Sequence, residues 1–69
     1  MIRRPNIRAF EKTAPKLGEF VFVDRTAVII GDVRMGEDCS VWPFAVIRGD
    51  MHHIRIGSRV SVQDGAVLH

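Results

Sequence analysis

A single cysteine, Cys39, stands in the 69 residues, so no intrachain disulfide can staple the fold. One unpaired thiol suits a reducing compartment, and a cytoplasmic location is the expectation. No apolar segment reaches the roughly twenty residues that span a bilayer. The charged residues near the start are not followed by an apolar run, so neither a signal peptide nor a membrane role is expected. Excess charge of either sign is also lacking. Ten Lys and Arg against eight Asp and Glu leave a net charge of +2. Arg3, Arg4 and Arg8 lie close together, but no aromatic interleaving accompanies them. They read as a solvated terminus rather than a nucleic-acid site. The length allows one small domain at most, with little buried surface.

Helical periodicity is lacking too, and a period of six stands in its place. Val23, Ile29, Met35, Val41 and Ile47 are six residues apart, and after a jump of nine the series resumes at Ile56, Val62 and Leu68. Four positions after these anchors come Ala27, Val33, Cys39, Ala45, Met51, Val60 and Ala66, most of them small. A helix repeats near 3.6 residues and a strand at 2, and neither explains this spacing. A hexapeptide β-solenoid does: each repeat forms one short strand and a corner, and three make a triangular coil. The expected fold is therefore all-β, a parallel β-helix over residues 23–69 of about two and two-thirds coils. Residues 1–22, with Arg3, Arg4, Pro5, Arg8 and Pro15, are expected to form an extended N-terminal arm or cap. The last coil stops in mid-turn, so the β-helix is expected to be truncated at its C-terminal end. Cys39 and Met35 sit in interior columns and read as core. The nine-residue jump leaves three surplus residues within Asp50–Arg55. They are expected as an extruded loop holding Met51, His52 and His53.

The register places the polar residues. Anchors three repeats apart should stack, so Ile29, Ile47 and Leu68 share one face and Val23, Val41 and Val62 the next. Coils should lie about 4.8 Å apart. The residue after each anchor points outward near a corner. Arg48 should then lie one coil below His69, and Gln63 one coil above Trp42. Arg48, Gln63, Asp64 and His69 are expected to converge on one edge of the prism.

The stretch from Val28 to His69 resembles the gamma-class carbonic anhydrase family. The matching motifs are Ile30-Gly31-Asp32-Val33, Ser40-Val41-Trp42-Pro43 and Ala45-Val46-Ile47-Arg48-Gly49-Asp50. They continue with Ile56-Gly57, then Gln63-Asp64-Gly65 with Leu68-His69. The resemblance implies a left-handed coil, an exception to the usual crossover hand, and a homotrimer acting on carbon dioxide and bicarbonate. It implies His69 as the first ligand of a zinc whose other two ligands are not in this chain, the site being shared between subunits. It implies an interface ion pair of Arg48 with Asp64, and a catalytic role for Gln63 in orienting the zinc-bound water. Ser61 occupies a further catalytic position, where the family often has asparagine. Met51-His52-His53 replaces a stretch in which the prototype carries a glutamate thought to help proton transfer. With these departures, weak or absent activity is expected, and none from this chain alone.

The chemistry accounts for these residue types. A catalytic zinc takes three protein ligands and keeps one position for water, whose pKa it lowers toward neutrality. One histidine supplies one bond. His52 and His53 read as loop residues rather than ligands, because neighbouring strand positions face opposite ways; a proton-shuttle role for one of them stays open. Arg48 and Asp64 read as positioning the chains rather than doing chemistry. Two other functions fit the repeat. One is a hexapeptide acyltransferase using a histidine base, and the other a noncatalytic trimeric assembly scaffold.

Overall fold

The computed structural model describes residues 4–69, so Arg3 lies outside the described residues. Eight strands follow in order: β1 (Ile7–Arg8), β2 (Lys16–Leu17), β3 (Phe22–Val23), β4 (Val28–Met35), β5 (Ser40–Val41), β6 (Val46–Ile56), β7 (Ser61–Val62) and β8 (Val67–Leu68). Every pairing between them is parallel. No helix occurs among the described residues.

These strands wrap a triangular prism. Face one stacks β1, the first half of β4, the first half of β6, and β8. Its register runs Ile7 to Ile29, Ile29 to Ile47 and Ile47 to Leu68. Face two stacks Leu17 of β2, Met35 at the end of β4 and Ile56 at the end of β6. Face three stacks Val23, Val41 and Val62 from β3, β5 and β7. Both stacks expected from the spacing are therefore present. The part of the N-terminal segment that is described contributes β1, β2 and Phe22 of β3 to the lowest coil. Ile7 and Leu17 extend the anchor series downward. Leu17 is six residues before Val23, and the excursion between β1 and β2 hides Ile7 from the six-residue count.

Physical causes for this wrap are local. The anchors alternate inward along each short strand, and Ile29, Val33, Val41, Ala45 and Ile47 are fully buried. Each large aliphatic side chain so buried contributes about 1.5–3 kcal/mol. Backbone groups pair coil to coil: Val28 N–H donates to Ala45 O at 2.9 Å, and Val46 N–H to Ala66 O at 2.8 Å. Below, the Asn6 amide donates to the carbonyls of Asp24 and Ala27 at 3.2 and 2.9 Å, and Arg4 reaches Val23 O at 3.1 Å. The corner between faces one and two needs glycine. Gly31 has φ +84, and a Cβ there would lie 2.2 Å from Gly49 O on the coil above.

The surplus residues behave differently from expectation. They do not leave the sheet as a loop. β6 runs unbroken from Val46 to Ile56, and the ladder jumps from Gly31–Gly49 to Val33–Ile54. One residue of β4, Asp32, thus faces four of β6, Asp50 to His53, which is an enlarged β-bulge. Met51 is not in the small-residue interior column, because it is 87% exposed. Ile54 takes that column's place opposite Val33. Val60 is also at the surface rather than inside.

Candidate functional site

Every buried side chain among the described residues is apolar, so any chemistry lies on the outside of the prism. Two polar groups stand out there. The first is on face one. Because Ile47 pairs with Leu68, Arg48 lies directly below His69. The imidazole Nε2–H donates to Asp50 Oδ1 at 2.9 Å. One guanidinium nitrogen of Arg48 is 3.2 Å from Nδ1 and 3.1 Å from Nε2. A single nitrogen cannot donate in plane to both ring nitrogens. With Nε2–H given to Asp50, Nδ1 is the acceptor that remains. Arg48 Nε also lies 3.6 Å from Asp50 Oδ2. The Met51 backbone N–H donates to Asp50 Oδ1 at 2.7 Å. This bond first, and the His69 bond next, hold the Asp50 carboxyl below the usual carboxylate range. Asp50 is thus the hub of the cluster. Asp50 stands in the Arg48-Gly49-Asp50 motif, but its role follows from side-chain bonds to Met51 N–H and His69 that spacing does not encode.

The second group is on face three. Trp42 Nε1–H points between Ser40 Oγ at 2.9 Å and Ser61 Oγ at 3.0 Å. The Gln63 amide donates to Ser61 Oγ at 2.9 Å. Trp42 also packs on Phe22, with ring centroids 5.3 Å apart and planes at 47°. Register explains the set: Ser40 lies under Ser61, as Val41 lies under Val62. The expected convergence of four residues is therefore divided. Arg48 and His69 meet, and Asp50 joins them. Gln63 turns to Ser61 and Trp42. Asp64 is exposed and makes no ion pair among the described residues.

Beside His69 a cleft of about 230 Å³ is lined by Asp50, Met51, His52, His53, Ile54 and His69. The bulge forms one wall of it. Even so, no three His, Cys, Asp or Glu side chains come together to hold a metal ion among the described residues. Both His69 nitrogens are engaged, one by a carboxylate and one by a cation. One copy of this chain therefore does not fit the zinc that the resemblance implies.

A parallel prism built on six-residue repeats defines a hexapeptide-repeat protein. Residues 14–49, just over half the chain, match the family described as bacterial transferase hexapeptide (six repeats), and the chain belongs to that family as a left-handed parallel β-helix of the gamma carbonic anhydrase-like kind. Its similarity to Protein YrdA of Escherichia coli is 44% identity over 91% of this chain and 34% of that protein. Gamma carbonic anhydrase 2, mitochondrial, of Arabidopsis thaliana is 38% identical over 96% of this chain and 23% of its own length. A carbonic anhydrase of Geobacillus kaustophilus is 38% identical over 91% of this chain and 35% of its own. The chain thus spans about a third or less of the length of these curated relatives.

Proposed function

We propose that these residues are the N-terminal part of a gamma carbonic anhydrase-like zinc protein, a homotrimer acting on carbon dioxide and bicarbonate in the cytoplasm. The observation that supports this most is the stacking of His69 over Arg48 with Asp50 at its Nε2. His69 is proposed as one zinc ligand, and the other ligands come from residues beyond those present, on this and a neighbouring subunit. Asp64, exposed at the corner and without an ion pair among the described residues, is proposed to meet Arg48 of a neighbouring copy. Cyclic symmetry lets each subunit give one side of such a pair and receive the other. Ser61 and Gln63, already bonded to each other, are proposed to face the site from the adjoining face. Residues 1–22 are proposed as the cap of the lower end.

No reaction step is assigned to this chain alone, since it holds one of the ligands a catalytic zinc needs. The test is stopped-flow carbon dioxide hydration by a zinc-loaded, assembled chain that continues past His69, with the 69-residue chain as control. Zinc-dependent hydration that His69→Ala abolishes and Gln63→Ala lowers is the expected result. Acetyl-coenzyme A binding by the same protein, with no hydration, would support the acyltransferase alternative. Neither activity in an intact trimer would leave the assembly scaffold.

A further inference from the structure

Face two carries a column of cations. The outward residue before each inward anchor is Lys16 in the lowest coil, Arg34 in the next and Arg55 in the third. Strand pairing sets Lys16 beside Arg34 and Arg34 beside Arg55, and all three are exposed. The corresponding columns are Val28, Val46 and Val67 on face one and Phe22, Ser40 and Ser61 on face three. The stacked cations are thus confined to one face. Like charges side by side on neighbouring strands oppose folding. Arg55 has a partner in Asp32 at 3.0 Å. Among the described residues, Lys16 and Arg34 have none.

We propose that this ladder is a docking strip for an acidic α-helix of a partner protein, lying along the solenoid axis. The spacing selects the helix. Rungs about 4.8 Å apart match carboxylates three or four residues apart on one helix face, which rise about 4.5–6 Å. An extended strand presents same-side residues about 6.6 Å apart and falls out of step by the third rung. The flanks select a narrow partner. Glu19 and Glu37 are exposed at the corner just beyond the ladder, and Asp32 borders its other side. A duplex or an anionic bilayer would press its charge onto those carboxylates, whereas a single helix has room between them. The strip is built from residues outside the proposed site and does not depend on the proposed function.

Calorimetric titration of the 69-residue protein at low ionic strength tests this. The probe is a synthetic helix with glutamates at i, i+3 and i+7. A peptide of equal composition with the glutamates dispersed around the helix is the control. The patterned helix should bind, the dispersed one roughly tenfold more weakly, and added salt should weaken both. Arg34→Glu should cost roughly tenfold in affinity and Arg25→Glu, off the ladder, nothing. Arg34→Glu should also raise the Tm, because it puts an anion between two cations. Equal binding of the two peptides, unchanged binding by Arg34→Glu, or tighter binding of single-stranded DNA or phosphatidylserine vesicles would overturn the proposal.

Discussion

Asp50 is where the wall of the cleft, the bulge and the terminal histidine meet. It accepts from Met51 N–H and His69 Nε2–H and lies near Arg48, while its side chain is 22% exposed. A carboxyl whose folded pKa is depressed stabilises fully above its unfolded value, near 3.9. That stability is lost as pH falls through the folded pKa. Asp24, held down first by the Thr26 hydroxyl and then by the Thr26 N–H, follows the same sign. Asp50→Asn should therefore lower the Tm at neutral pH and reduce its fall between about pH 4 and pH 2, read by thermal melts across that range. An unchanged pH profile would show that the Asp50 contacts do not hold in solution. Ile47, fully buried between Ile29 and Leu68, belongs to a different class of residue. Ile47→Ala should cost about 2–5 kcal/mol in a denaturant titration. Ile47→Asp should abolish folding, since a buried carboxylate has no partner there.

At the scale of elements, the six-residue period was legible because interior packing repeats with the chain. Each inward position faces the same triangular core, so Val23, Ile29 and Val41 announce themselves without reference to any other strand. Ile7 was not legible, because the excursion between β1 and β2 breaks the count while leaving the parallel pairing intact. The form of the Asp50–His53 insertion was not legible either. Its three surplus residues follow from counting, but whether they leave the sheet depends on contacts across the coils. Met51 fell in the interior column by arithmetic and outside it by structure. That geometry predicts a deletion. Removing Met51, His52 and His53 joins Gly49-Asp50 to Ile54, which reproduces Gly31-Asp32-Val33 one coil below. The shortened protein should keep its β circular dichroism and melt at the same or a higher temperature. Loss of cooperative melting would mean that the bulge is needed to turn the corner. The polar groups were half legible. Arg48 and His69 follow from register, whereas the turn of Gln63 toward Ser61 depends on side-chain rotamers that spacing does not encode.

At the scale of the whole molecule, the upper ends of faces one and two, with the corner before face one, leave Ile54, Ile56, Ala66 and Leu68 only partly buried. Unpaired strand edges and half-covered apolar side chains favour association. In the proposed trimer of a longer chain, Arg48→Ala should weaken the assembly more than Arg34→Ala, read by sedimentation velocity. Equal effects would remove Arg48 from the interface. The proposed metal site depends most directly on His69, and zinc titration measures that. The 69-residue chain should show no tight stoichiometric zinc at neutral pH. A trimeric chain extended past His69 should bind zinc, and His69→Ala should remove most of that affinity. Tight zinc binding by the 69-residue chain that survives His69→Ala would move the metal to His52 and His53 and contradict the proposed function.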